Sequence, residues 1–152
     1  MPPPQRFRHA AIVGKPQAQG MRELIEDVAR FLTQQGLEVC LERATAQATG
    51  ITAYDSLDAA QLGQRCDVTV VVGGDGTMLG IAREMAQFDM PLIGINQGRL
   101  GFITDIPVDR FREALAPMVR GEFEEEHRAM LDASVWRGDE CIFTSVELND
   151  VV

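Results

Sequence analysis

Cysteine is scarce in this sequence of 152 residues, with one thiol each at Cys40, Cys66 and Cys141. The three are far apart, and no two of them form a C-x-x-C pair. Such an odd, scattered set excludes a disulfide framework and a cysteine-rich zinc site, and it favours a reducing compartment. We expect the thiols to serve as small buried hydrophobes.

Long apolar runs are also missing. No uninterrupted apolar stretch in the sequence approaches the roughly 18–20 residues that a membrane-spanning helix needs. Residues 1–6 contain three prolines and lack the apolar centre of a secretory signal, so we expect a short disordered lead-in. These absences predict a cytoplasmic protein that does not contact membranes.

Positive charge is in short supply. The 14 lysines and arginines are outnumbered by 23 aspartates and glutamates, which gives a formal net charge of −9. An acidic surface repels nucleic-acid phosphates, so binding to DNA or RNA is disfavoured. A phosphorylated small molecule stays compatible with this charge, because a local group of backbone N–H donors can act against the global field. The hydrophobic share of 45% is typical of a globular domain.

Two familiar phosphate-binding motifs are absent as well. The P-loop pattern G-x-x-x-x-G-K-[S/T] fails because proline follows the pair Gly14-Lys15. The dinucleotide pattern G-x-G-x-x-G also fails, since Gly80 comes one residue too late after Gly76. The sequence therefore lacks a P-loop, and a hydride-transferring dinucleotide fold is a weaker interpretation.

Short apolar runs alternate with amphipathic segments between residues 7 and 121. Buried strands are predicted at residues 9–13, 37–41, 67–72 and 91–95. Helices are predicted at residues 21–35, 78–87 and 109–119, and residues 44–64 are expected to hold a mobile loop and a short helix. The alternation predicts an α/β domain with a doubly wound, mainly parallel sheet flanked by helices.

The pattern changes after residue 121. Residues 130–136 alternate in polarity, Gly138-Asp139 predicts a hairpin turn, and an apolar strand resumes two residues further on. Residues 122–152 are therefore predicted to begin an antiparallel, β-rich domain. The last residues have the pattern of an unfinished strand, so we expect a truncated chain with more protein following it.

A glycine-rich loop, Gly-Gly-Asp-Gly-Thr at residues 73–77, joins the clearest predicted strand to a helix. Ligands of open α/β sheets bind beyond the carboxyl ends of the strands. Glycines let the backbone approach a ligand, and a helix N-terminus attracts phosphate. We therefore predict that Gly73, Gly74, Gly76 and Thr77 bind the phosphates of a ligand.

Asp75 is the unusual residue of this loop, because a carboxylate repels phosphate. Three roles remain open from the residues alone. The carboxylate can take a proton from an attacking hydroxyl, or it can hold Mg²⁺ that bridges phosphates. It can also simply cap the following helix.

The loop resembles the signature of a kinase superfamily that includes NAD kinases, diacylglycerol and sphingosine kinases and, more distantly, phosphofructokinases. A second segment, residues 93–105, resembles the N-x-G-x-x-G-F-L segment of NAD kinases, with isoleucine in the usual leucine position. Its Asn96 can hydrogen-bond a sugar or the backbone, and Gly98 and Gly101 permit close approach. The ring of Phe102 can border a base.

A third segment closes the chain. Residues 147–152, Glu-Leu-Asn-Asp-Val-Val, resemble the L-N-E/D-V-V segment of the same family. The resemblance implies that Asn149 and Asp150 bind the ribose hydroxyls and the nicotinamide side of NAD, and an adjacent amide and carboxylate suit a diol. The resemblance extends from residue 7 to the end of the chain.

The implied activity is that of an NAD kinase, a phosphotransferase that moves the γ-phosphoryl group of ATP, or of polyphosphate in some relatives, to the 2′-hydroxyl of the adenosine ribose of NAD. Asp75 is then the general base, and Mg²⁺ neutralises charge on the phosphoryl group. No separate metal site is predicted. The family resemblance also implies a homodimer or homotetramer.

Two alternatives remain. The chain could belong to another hydroxyl kinase of the superfamily, such as a lipid kinase. It could also be an inactive nucleotide-binding fragment, because the family's C-terminal β-rich domain, which completes the NAD site, is almost entirely missing.

Overall fold

The computed structural model describes residues 7–15, 19–97, 101, 104, 106–123 and 130–148. The strands are β1 (His9–Gly14), β2 (Glu38–Glu42), β3 (Asp55–Leu57), β4 (Val68–Gly73), β5 (Leu92–Asn96), β6 (Ile106–Pro107), β7 (Met130–Arg137) and β8 (Glu140–Leu148). The helices are α1 (Met21–Gln34), α2 (Arg43–Thr49), α3 (Ala59–Arg65), α4 (Asp75–Met85) and α5 (Phe111–Val119). Two 3₁₀ turns, Ala86–Phe88 and Val108–Arg110, precede β5 and α5.

Six strands form one sheet in the order β3-β2-β1-β4-β5-β6, and every pairing is parallel. The prediction of a doubly wound, parallel α/β sheet is confirmed. The chain runs outward from β1 to β3 on one side and from β4 to β6 on the other. The loops after β1 and β4 therefore diverge, and they leave a crevice at the carboxyl edge of the sheet.

Strand β4 lies in the middle of the sheet and is buried along its whole length. Its alternate side chains enter two separate cores, as expected for a parallel strand covered on both faces. Val68, Val70 and Val72 pack with residues of α1, α2 and α5, whereas Val71 packs with residues of α3 and α4. This double burial explains the nearly continuous β-branched run from which the strand was predicted.

Helix α1 confirms the amphipathic helix predicted at residues 21–35. Its buried residues recur at three- and four-residue steps and face the sheet. Phe31 makes an edge-on contact with Phe111 of α5, with ring centroids 5.9 Å apart. Gly36, just beyond the helix, has a φ of 92°, a conformation that favours glycine.

The structure contains strand β6, which was not predicted, and it differs from the predictions in two further places. The segment expected to hold a mobile loop and a short helix contains α2, β3 and α3 instead, and α3 begins with a capping box between Asp58 and Gln61. Helix α4 begins at Asp75 instead of residue 78. The burial of Met78 and Ile81 outweighs the low helix propensity of Gly76 in the first turn.

Strands β7 and β8 form a separate antiparallel pair that runs from Met130 opposite Leu148 to Arg137 opposite Glu140, with a one-residue register shift between Val135 and Trp136. The turn between them uses Gly138, whose φ is 61°. The predicted antiparallel region after residue 121 is therefore present. The lead-in expected at residues 1–6 and the final residues 149–152 lie outside the described part of the chain.

The cysteines follow the expectation in two cases of three. Cys40 and Cys66 are buried, whereas Cys141 is exposed on β8, so the expectation was wrong for Cys141. Burial raises the pKa of the Cys66 thiol to about 12 and also raises the pKa of Cys40. Both buried thiols are therefore protonated, unreactive packing groups at neutral pH.

Within the described residues, no helix combines the length and apolar character that crossing a bilayer requires.

A buried polar contact joins the carboxyl ends of β1 and β2. The hydroxyl of Thr45 accepts a hydrogen bond from the Gly14 backbone N–H at 3.0 Å and donates to Glu42 Oε1 at 2.9 Å. Burial raises the pKa of the Glu42 carboxyl, while the hydrogen bond from Thr45 partly opposes this shift. The folded state therefore binds the Glu42 proton more tightly than the unfolded chain does.

This linkage predicts a pH-dependent gain in stability for Glu42→Gln. Glutamine retains an acceptor for Thr45 but carries no buried charge. Wild type should lose stability relative to the variant as pH rises above the unfolded-state value of about 4.5, because the unfolded chain then releases the proton that the folded state still holds. Urea unfolding of both proteins between acidic and neutral pH measures the difference. The exposed Glu113→Gln is the control, and a difference that does not change with pH would contradict the prediction.

Candidate active site

A cavity of about 490 Å³ lies at the carboxyl edge of the sheet, where the strand order reverses. Residues from three loops line it, following β1, β4 and β5: Lys15, Gln19, Gly73, Gly74, Asp75, Asn96, Gln97 and Gly101. This is the position at which open α/β sheets bind ligands. It brings together four of the predicted site residues: Gly73, Gly74, Asp75 and Asn96.

Backbone hydrogen bonds hold the three loops together. Lys15 N–H donates to the Val72 carbonyl at 3.0 Å, and Gln97 N–H donates to the Gly73 carbonyl at 3.0 Å. Gly73 has a φ of 158°, and a Cβ at this position would lie 2.9 Å from Thr77 Oγ1. The fold itself therefore requires glycine at residue 73.

Gly74 and Gly76 differ from Gly73 in this respect. A Cβ added to either would meet no heavy atom within 4 Å. Gly74 has extended backbone angles, and Gly76 lies in the first turn of α4, so neither position needs glycine for its conformation. The fold leaves open space over this turn, and a molecule that comes close to the backbone would account for both glycines.

The start of α4 provides hydrogen-bond donors at this open space. The first intrahelical bond of α4 runs from Met78 N–H to the Gly74 carbonyl at 3.1 Å. The N–H groups that precede Met78 have no acceptor within the helix, and the helix dipole adds partial positive charge. Backbone donors of this kind bind phosphate.

Asp75 is the first residue of α4, while Gly74 occupies the N-cap position. The helix-capping role considered for Asp75 is therefore not the one observed. Instead, Asp75 Oδ1 accepts two hydrogen bonds from Thr104, one from its backbone N–H at 3.0 Å and one from its hydroxyl at 2.9 Å. The half-buried carboxylate is thus held by Thr104, which follows β5 in the chain.

Asn96 lies at the end of β5, opposite Gly73 in the sheet register. Its Nδ2 donates to Thr104 Oγ1 at 2.8 Å and to the Thr104 carbonyl at 3.2 Å. Asn96 was predicted to bind a sugar or the backbone, and here its amide nitrogen binds the chain itself. Because Asn96 also lines the cavity, a contact to a ligand remains a prediction.

Two glycines make room for Thr104. A Cβ on Gly101 would overlap Asp75 Oδ1 and would lie 2.8 Å from Thr104 Oγ1. A Cβ on Gly94 would lie 2.6 Å from Thr104 Cγ2 and 2.8 Å from Met78 Cε. Gly101 was expected to permit close approach, and it permits that of Thr104 to Asp75. Because Gly101 also lines the cavity, the approach of a ligand there remains a prediction.

Four residues of the site were not predicted from the sequence: Lys15, Gln19, Gln97 and Thr104. Among the described residues that line the cavity, Lys15 alone has a basic side chain. Gln97 Nε2 donates to the Gln19 carbonyl at 2.8 Å and so joins the loops after β5 and β1. Lys15 could have been found, since it directly follows a predicted strand, whereas the contacts of Thr104 leave no local signal.

Five predicted site residues remain to be placed. Gly76 and Thr77 lie in the first turn of α4 beside the cavity. Phe102, Asn149 and Asp150 lie outside the described residues.

An open helix N-terminus, a glycine-rich turn and an anchored carboxylate at the switch point of a doubly wound sheet define an α/β protein with a site suited to a phosphorylated nucleotide. Residues 10–123 match the family model of the ATP-NAD kinase N-terminal domain. The chain belongs to the NAD kinase family.

Individual relatives agree with this assignment. The chain is 60% identical over 151 residues to the NAD kinase of Methylibium petroleiphilum, and the match covers 97% of this chain and 50% of that protein. It is 58% identical over 147 residues to the NAD kinase of Polaromonas naphthalenivorans, with 97% of this chain and 50% of that protein covered. The chain therefore spans about half the length of the curated relatives it matches.

A solved structure supports the fold. The crystal structure of yeast NADH kinase complexed with NADH superposes with a TM-score of 0.75 at 17% sequence identity. The match covers 93% of this chain and 47% of that one. At this level of identity the likeness establishes the fold alone.

The contact between Gly101 and the Asp75–Thr104 pair predicts that Gly101→Ala harms both stability and activity. The added methyl group overlaps Asp75, and overpacking of this kind costs about 1–3 kcal/mol. Denaturant unfolding and turnover of the complete protein are the measurements. Gly80→Ala, on an open face of α4, is the control. Normal turnover and stability in Gly101→Ala would show that the contact is not needed.

Proposed function

We propose that this chain carries the phosphoryl-transfer site of an NAD kinase, which moves the γ-phosphoryl group of ATP to the 2′-hydroxyl of the adenosine ribose of NAD and forms NADP. The observation that carries the proposal is the position of Asp75. Its carboxylate is held by Thr104 beside an open helix N-terminus. A proton acceptor and backbone N–H groups that can bind phosphate therefore face the same cavity. Family membership supports NAD kinase over the lipid-kinase alternative.

The donor phosphates bind at the first turn of α4. The N–H groups of this turn point beyond the end of the helix, and Gly74 and Gly76 leave room for phosphate oxygens close to the backbone. Gly73 and Thr77 shape the same turn. Lys15, which lines the cavity next to Gly73, supplies positive charge against the chain's net charge of −9.

Asp75 acts as the general base. It takes the proton of the 2′-hydroxyl as the hydroxyl oxygen forms a bond to the γ-phosphorus. The bond from that phosphorus to the bridging oxygen breaks, and ADP leaves with the electron pair. Asn96, Phe102, Asn149 and Asp150 orient NAD in this proposal, with the last two on its ribose hydroxyls and nicotinamide side.

Mg²⁺ fits the groups at the cavity. The described residues contain no group of three or more His, Cys, Asp or Glu side chains that could hold a metal by themselves. Mg²⁺ in phosphoryl-transfer sites is commonly bound through one or two carboxylates together with substrate phosphates. Because Asp75 is assigned as the base, the donor phosphates and water would hold the ion here, and the chemistry it would supply is the neutralisation of phosphoryl charge.

The wider setting is also proposed. Residues 7–121 form the α/β domain, and residues 122–152 begin a β-rich domain that contributes to the NAD side. The complete protein is a cytoplasmic homodimer or homotetramer. Because the relatives are about twice as long, the inactive-fragment alternative is tested by assaying this chain and the complete protein side by side.

Asp75→Asn tests the general base. The amide keeps the shape and can still accept hydrogen bonds from Thr104, but it cannot take a proton. Turnover should fall by about 10²–10⁴-fold, which is the usual contribution of a general base. A coupled NADP assay measures turnover, and calorimetry checks that ATP and NAD still bind. Near-normal turnover would rule out this role for Asp75.

Gly76→Ala separates the needs of the ligand from those of the fold. Alanine at this helical position meets no neighbouring atom and should stabilise the protein by up to about 1 kcal/mol. The methyl group should nevertheless raise the KM for ATP by about tenfold, because it obstructs one phosphate contact. Gly80→Ala in the same helix should be equally stable with an unchanged KM. An unchanged KM in Gly76→Ala would contradict the phosphate site.

A further inference from the structure

We infer that Thr104 is a positioning residue that fixes the Asp75 carboxylate in its reactive orientation. The inference rests on the proposed NAD kinase function and adds to it a residue on which the base depends. Thr104 lies on the segment between β5 and β6, 29 residues from Asp75 in the sequence. Its backbone N–H and its hydroxyl both donate to the same oxygen, Asp75 Oδ1.

The direction of each hydrogen bond follows from the chemistry of the partners. Asn96 Nδ2 lies 3.2 Å from the Thr104 carbonyl, which can only accept, so this side of the amide must be the nitrogen. The same nitrogen lies 2.8 Å from Thr104 Oγ1, so the hydroxyl accepts from Asn96. The single hydroxyl proton is then left for Asp75, at 2.9 Å. The bonds run in one sense, from Asn96 through Thr104 to Asp75.

Packing keeps Thr104 in this position. The residue is fully buried, and its Cγ2 faces Gly94 on β5. The absence of a side chain at Gly94 and at Gly101 is what allows Thr104 to reach Asp75. A rotation of Thr104 away from Asp75 would leave buried polar groups unpaired, which makes the observed arrangement the favoured one.

This arrangement serves a general base by fixing its orientation. Two donors to one oxygen restrict rotation of the Asp75 carboxylate. Misplacement of a reacting group by about 1 Å can cost on the order of 10²-fold in rate. Thr104 therefore affects the proposed reaction through Asp75 and does not need to touch a substrate.

The test compares Thr104→Val with Thr104→Ser in the complete protein. Valine keeps the buried methyl group and the backbone N–H but removes the hydroxyl, so kcat should fall by about 10- to 100-fold, the range for a lost hydrogen bond to a charged group. The KM values for ATP and NAD should stay within about twofold, because neither substrate contact is removed. Serine retains the hydroxyl and should restore most of the wild-type kcat.

Thr69→Val is the matched control. Thr69 is also fully buried, on β4, and its hydroxyl finds no hydrogen-bond partner in the part of the chain that the structure describes. The same chemical change there should leave kcat unchanged. Loss of kcat in Thr104→Val with raised KM values, lowered thermal stability and no rescue by serine would reduce Thr104 to a structural residue and overturn the inference.

A double-mutant cycle shows whether Thr104 acts through Asp75. With Asp75→Asn already present, Thr104→Val should lower the residual kcat by no more than about twofold, since the base is gone. If the two losses in kcat multiply, the inference is wrong.

Wild-type turnover separates a failure of the proposed function from a failure of the role inferred for Thr104. An inactive complete wild-type protein contradicts the proposed function, whereas an active wild type with an equally active Thr104→Val contradicts only the role of Thr104.

Discussion

The hydrogen bonds from Thr104 to Asp75 join two parts of the chain that the sheet alone would leave apart. Asp75 begins α4, which follows β4, and Thr104 lies between β5 and β6. The bonds hold Thr104 against Asp75, and Gly101, three residues before Thr104, lines the cavity at the switch point. They also dictate glycine at residues 94 and 101, since a side chain at either position would displace Thr104.

The glycines of the site therefore belong to two groups with different physical origins. Gly73, Gly94 and Gly101 are needed by the fold, through a rare backbone conformation or a close internal contact. Gly74 and Gly76 border empty space and have ordinary backbone angles, so the fold gains nothing from them. Residues that reduce helix stability and yet face a cavity are the kind of compromise that functional sites make.

Charge at the site is arranged locally instead of through the surface as a whole. The chain carries a net charge of −9, and Asp75 adds a carboxylate to the cavity itself. Partial positive charge comes from the N-terminus of α4, and Lys15 contributes a full positive charge from the loop after β1. Both sources act over short distances, so a phosphorylated ligand can be attracted to the cavity while the surrounding surface repels polyanions.

The alternation of apolar runs and helical stripes determined the α/β class, the central strand β4 and the position of the glycine-rich loop, because these depend on local burial and turn chemistry. Contacts between distant segments were decided only by the tertiary structure. Thr104 carries no local pattern, the two-residue strand β6 is too short to have one, and Thr45 binds Gly14 from another element. Asp75 was recognisable as a carboxylate in a phosphate loop from the sequence. That it is held by Thr104 instead of capping its helix depends on a contact between residues 29 positions apart, and a residue's neighbours along the chain do not report such a contact.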